Sequence, residues 1–96
     1  MKGDKFDEKK PRWSLLPWAE VGDVVDVITH GAVKYEDENW KHVKPLRDRY
    51  LSAMMRHIAA WAGGERYEKD TGKSHLAHAI CCGLFLMWGE KQKEEV

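Results

Sequence analysis

The sequence predicts an all-α fold, a three-helix domain with an extended N-terminal arm that completes its core by homo-oligomerisation. Three observations predict it. Apolar residues recur at helical spacing on two segments, Pro, Gly and Ser punctuate the segment ends, and a third segment is apolar on every side. The chain has 96 residues, room for one domain, and a chain this short buries only about 60–65% of its unfolded surface. Five Trp, three Tyr, two Phe and four Met are a large apolar load for that size, so another copy of the chain is expected to finish the core.

Residues 1–10 read as a flexible charged tail. Pro11 and Pro17 bracket Arg12 to Leu16 and disfavour helix around them. An extended arm is expected there, pinned onto the body by Trp13, Leu15 and Leu16. The first helix is expected from about Trp18, because Val21, Val24, Val25, Ile28, Ala32 and Val33 fall on one helical stripe. Tyr35 to Lys44 is polar and aperiodic, and reads as a loop anchored by Trp40. Pro45 suits the start of the second helix, Leu46 to Ala62, whose stripe is Tyr50, Ala53, Met54, His57, Ile58 and Trp61. Gly63-Gly64 stops it. Glu65 to Lys73 is a polar connector, and Ser74 is a good N-cap for a third helix from His75 to about Glu90. That helix is nearly all apolar from Leu76 to Trp88, which predicts burial on all sides. The single all-helical domain therefore spans 11–90, with a second charged tail over 91–96.

Formal net charge is zero, with 16 basic and 16 acidic side chains, which argues against a duplex DNA or RNA partner. Residues 1–10 lack an apolar core and the longest apolar stretch is too short to span a bilayer. Both point to a cytoplasmic protein with no membrane partner. Cys81 and Cys82 are adjacent, and neighbours on a helix point in different directions, so they read as small buried apolar residues rather than a bridge.

Three polar features stand where a bland bundle would be apolar. His57 lies on the inner stripe of the second helix, preceded by Arg56. His75 and His78, spaced i, i+3, share one face of the third helix and suit a metal or phosphate oxygens. Glu65, Glu68 and Asp70 crowd the connector, and carboxylates of this kind suit a hard cation such as magnesium. A short connector brings all three together, with His57 facing His78 across an antiparallel pair. Lys34, Arg47, Arg49, Arg56 and Lys73 are available to phosphate, and Asn39 and Trp40 to a base by hydrogen bonding and stacking. Each has a plainer alternative: a core histidine, a solvated acidic loop, a loop anchor.

At these residues the chain resembles a known family. Phe6 to Pro17 (FDEKKPRWSLLP), Gly31-Ala32-Val33-Lys34-Tyr35, Asn39-Trp40, Arg56-His57, Trp61, Gly64-Glu65 and Thr71 to Ala79 (TGKSHLAHA) are similar in order and spacing to the dATP/dGTP diphosphohydrolase N-terminal domain family. That family is common in bacteriophages and related to the MazG-like all-α NTP pyrophosphohydrolases. The resemblance covers roughly residues 6–88.

The resemblance implies an oligomeric, host-cytoplasmic hydrolase that converts a purine deoxynucleoside triphosphate to monophosphate and pyrophosphate with Mg²⁺ or Mn²⁺. On this reading Glu65, Glu68 and His57 are catalytic. Lys34, Asn39, Trp40, Arg56, Lys73 and His75 hold the nucleotide, and Glu65, Glu68, Asp70 and His78 hold the metal. The paired acidic helices of the wider superfamily are not clearly present, although Glu20 and Asp23 sit i, i+3 on the first helix. A second reading is a non-catalytic sponge of the same fold that sequesters a nucleotide signal, including a cyclic one. A third is a purely structural helical oligomer.

Overall fold

The computed structural model describes residues 8–92. Most of the two expected tails, residues 1–7 and 93–96, lies outside the described residues. Three helices carry the fold: α1 (Trp18–Lys34), α2 (Leu46–Ala62) and α3 (His75–Glu90). Among the described residues there is no strand, only an isolated bridge pairing Tyr67 with Ser74.

The helix ends follow from local chemistry. Pro17 sits at the N-cap of α1 and its carbonyl accepts from Glu20 and Val21 N–H. Proline has no N–H to orphan there. At the far end of α2, Gly63 N–H bonds Ala59 O at 3.0 Å and Gly64 takes φ +104°, a left-handed conformation that ends the helix. Ser74 caps α3, its hydroxyl accepting from Leu76 N–H at 3.0 Å. The segment 35–45 is a loop containing one 3₁₀ turn, Asn39–His42.

Tyr50 meets Phe85 and His57 meets His78, so α2 and α3 run antiparallel. α1 lies against α3 more lightly. The core is small: Val24 and Val27 from α1 meet Ala77, Cys81 and Phe85 from α3, with Ile28, Trp40 and Tyr50 packed around them. Ala77, Cys81 and Phe85 are four residues apart and so share one face.

Two expectations differ from the structure. Trp13, Leu15 and Leu16 do not pin an extended arm to the body. Leu15 N–H bonds Arg12 O and Leu16 N–H bonds Trp13 O, closing a single 3₁₀ turn over Trp13–Leu15 whose apolar side chains face out. The helix α3 is not covered on all sides within one chain. Ile80 and Met87 keep 55% and 54% of their surface, and Leu76 and Leu84 are exposed with them. Two neighbouring helices cannot surround a third, so one face stays open. Among the described residues no helix is long and apolar enough to cross a membrane.

Candidate functional site

The three helices and the 35–40 loop enclose a cavity of about 510 Å³, inside the range of about 300–1,000 Å³ that small-molecule sites occupy. Its apolar side is Val27 and Ile28 of α1 with Cys81, Cys82 and Phe85 of α3. Its polar side comes from four directions. α1 supplies His30 and Lys34, the loop supplies Asn39 and Trp40, α2 supplies Arg56 and His57, and the connector with α3 supplies Glu68, Thr71 and His78.

The connector is folded on itself by one carboxylate. Glu68 accepts from the backbone N–H of Asp70 (3.0 Å) and Thr71 (2.9 Å) and from the Thr71 hydroxyl (3.0 Å). Gly72 at φ +71° closes the turn, a conformation that side chains resist. Thr71 is the hub. Its hydroxyl gives its hydrogen to Glu68 and accepts from Lys73 N–H at 3.1 Å, so His78 Nε2, 2.8 Å away, donates to it as well. His78 Nε2 also lies 3.3 Å from Glu68 Oε1.

Electrostatics follow the contacts. Burial works to raise the Glu68 carboxyl, but the donors of Asp70 and Thr71 and the nearby His78 outweigh it and hold the group down at about 2. His57 is lowered by burial first, then by His78 and His75. His78 is lowered by burial, with Glu68 opposing. The cavity therefore presents a fixed anion beside two neutral imidazoles.

The whole chain, residues 1–96, matches the family described as dATP/dGTP diphosphohydrolase, N-terminal. The chain belongs to that family. A curated relative, the dATP/dGTP diphosphohydrolase of Salmonella phage PMBT28, is 33% identical over 88 residues, which is 92% of this chain and 30% of the relative. The chain thus spans about a third of that relative's length. No solved structure matches it.

In this family member the expected site residues separate into two groups. Lys34, Asn39, Trp40, Arg56, His57, Glu68, Asp70 and His78 all line the cavity. Glu65, Lys73 and His75 do not. Glu65 Oε2 sits 2.7 Å from His75 Nε2, and His75 is 6% exposed behind His57. Lys73 reaches 50 residues back to α1, with its Nζ 2.9 Å from Asp26 and 3.4 Å from Asp23. Those bonds raise its pKa and hold the amine away from the cavity.

The four expected metal ligands do not gather at one point. Glu68 and His78 meet through Thr71, Glu65 is held by His75, and Asp70 lies out by Lys34, 3.9 Å away. Among the described residues no three His, Cys, Asp or Glu side chains converge to hold an ion.

Sequence reasoning passed over Thr71, His30 and Tyr50. Thr71 had a usable signal, since Glu-x-x-Thr-Gly is a turn in which the acid can accept from the backbone that follows it. Tyr50 had one too, since it shares the helical stripe of His57, whereas His30 reaches the cavity only through helix packing, which leaves no local trace.

Proposed function

We propose that the cavity binds a purine deoxynucleoside triphosphate and that the domain serves its hydrolysis to monophosphate and pyrophosphate. The observation that carries this is the lining itself: two cations, an Asn-Trp pair, neutral imidazoles and a fixed carboxylate on one space of nucleotide size. Lys34 and Arg56 take phosphate oxygens, Arg56 through the planar fork that matches them. Asn39 and Trp40 take the base. Glu68, held in one orientation by Asp70, Thr71 and His78, is the carboxylate placed at the reacting centre, and His57, with Glu65 behind it through His75, meets the nucleoside part of the ligand. A divalent ion, Mg²⁺ or Mn²⁺, would come with the triphosphate and supply charge neutralisation, with Glu68 and Asp70 the expected ligands that line the cavity. Such ions keep water and phosphate oxygens and need few protein carboxylates.

A second reading has an observation of its own. Glu68, a carboxylate on the cavity, is already taken up by the N–H groups of Asp70 and Thr71 and by the Thr71 hydroxyl. A carboxylate so occupied suits sequestration of an intact nucleotide, linear or cyclic. Incubation with dATP, dGTP and cyclic dinucleotides, with Mg²⁺ or Mn²⁺, separates the two. Monophosphate and pyrophosphate on chromatography mark hydrolysis. Intact ligand released only on heating marks sequestration. Neither product nor retained ligand sinks both readings.

The assembly is part of the proposal. The open faces of α3 (Leu76, Ile80, Leu84, Met87) and α2 (Leu51, Met55, Ile58) are the surfaces that a second copy of the chain covers. Sedimentation as a monomer at all concentrations counts against it.

A further inference from the structure

Behind the cavity wall stands a row of three side chains, Glu65, His75 and His57, and its hydrogen bonds fix a proton. His75 Nε2 lies 2.7 Å from Glu65 Oε2, and His75 Nδ1 lies 2.9 Å from His57 Nδ1. A carboxylate only accepts, so His75 Nε2 carries a hydrogen and gives it to Glu65. In a neutral imidazole the other nitrogen is then bare. His75 Nδ1 must accept, and the group opposite it among the described residues, His57 Nδ1, must donate. That leaves His57 Nε2 as a lone pair.

The His75 ring is buried between its two partners, although the Glu65 carboxylate beyond it is half exposed. The His57 ring is also stacked on His78, centroids 4.6 Å apart and planes 22° from parallel, which sets its tilt. Burial and the adjoining His78 and His75 favour the neutral ring, with Glu68 opposing and Arg56 adding to them.

We infer that Glu65 and His75 are positioning residues that lock His57 as its Nδ1–H tautomer, so that His57 Nε2 offers the cavity an acceptor for an amino or hydroxyl group of the bound nucleotide. The ligand half of this rests on the nucleotide reading above, whereas the tautomer is a property of the free protein. A histidine set this way turns phosphate oxygens away, since they have no hydrogen to give, and leaves them to Lys34 and Arg56. The pocket is thereby divided by hydrogen-bond polarity.

Long-range ¹H–¹⁵N spectra of the ¹⁵N-histidine-labelled chain at neutral pH test the tautomer, with His57 assigned by its loss in His57→Asn. The expected spectrum has Nδ1 protonated and Nε2 bare. The reverse assignment overturns the inference, because it means His75 donates from both nitrogens. Glu65→Ala is expected to give a mixture of tautomers at His57. Glu65→Gln, whose amide oxygen still accepts, is expected to keep the wild-type state, and far-ultraviolet circular dichroism reports that each variant is folded. A His57 unchanged in Glu65→Ala removes the positioning role.

Calorimetry with dATP, its analogue lacking the 6-amino group and its 3′-deoxy analogue tests the ligand. The wild type is expected to bind one analogue about tenfold more weakly, the effect of one unmet hydrogen bond. Which analogue it is names the donor, and Glu65→Ala is expected to lose the discrimination. Equal binding of all three overturns the ligand half. No binding of any sinks the nucleotide reading with it, and the spectra alone then decide the tautomer.

Discussion

The indole of Trp40 lies flat on the phenyl ring of Phe85, their centroids 4.1 Å apart and their planes 8° from parallel. The loop between α1 and α2 is held to α3 by this contact, and Trp88 meets the same indole edge-on at 5.1 Å. Trp40 is thus an anchor whose remaining surface lines the cavity. Phe85 covers one face of the ring and Lys41 Nζ lies 5.5 Å from its centroid, so anchoring is the role that these contacts carry.

Trp40→Ala should therefore cost stability and ligand binding together. Removing a stacked, half-buried indole costs about 3 kcal/mol, which urea denaturation reads as a lower midpoint at unchanged slope. Nucleotide affinity should fall in the same variant. A loss of affinity with no loss of stability shows that the Phe85 contact does not anchor the loop.

Arg56→Ala should do the opposite. Arg56 is exposed on α2, and surface changes of this kind usually alter stability by no more than about 0.5 kcal/mol. A lost charge-assisted bond to phosphate is worth about 1.5–3 kcal/mol, so the affinity for a triphosphate should drop by about tenfold or more. Arg56→Lys should recover part of it, since the charge remains and the fork does not. Calorimetry with dATP and dGTP reads all three proteins.

Acid should weaken the fold through Glu68. Its carboxyl is held near 2 in the folded chain, below the ordinary 4.5. A depressed acid contributes stability above its ordinary value and loses it as pH falls towards the folded value. The window is therefore pH 4.5 down to about 2, and the contribution is on the order of 3 kcal/mol above it. Glu68→Gln should be less stable than wild type at pH 6, and the gap should close by the acid end of that window. His57 and His78 push the same way at higher pH. Their pKa values are lowered from 6.5, so the unfolded chain takes up protons first and stability declines below that point.

Charge placed on the open face of α3 should separate the assembly without harming the domain. Ile80→Glu and Leu84→Glu alter side chains that are exposed in one chain. If a second copy covers them, the variants should sediment as smaller species with the helical signal intact. An unchanged sedimentation profile in both places the contact between copies elsewhere.

Much of this fold is legible in the sequence because its helix ends are punctuated. Pro17, Pro45, Gly63-Gly64 and Ser74 mark the boundaries that α1, α2 and α3 keep. The facing of His57 and His78 follows from the short connector alone. The partner of His75 does not. Three residues along a helix turn a side chain by about 60° from the first, and that offset points His75 to the far nitrogen of His57 rather than into the cavity. Lys73 is illegible for another reason. Its acids are Asp23 and Asp26, half the chain away, and nothing next to Lys73 announces them. The N-terminal turn misleads because Trp13 and Leu15 are apolar, and apolar side chains usually signal contact with the body.

The two thiols on the cavity floor have a practical consequence. Burial raises Cys81 to about 12 and Cys82 to about 11. At neutral pH such groups are ionised in about one molecule in ten thousand or fewer, and only the thiolate attacks alkylating reagents. The folded chain should ignore maleimide, while an opened one reacts at two adjacent positions. Alkylation rate thus becomes a clock for opening of the molecule, and a nucleotide that slows it has reported its own occupancy without a label on either partner.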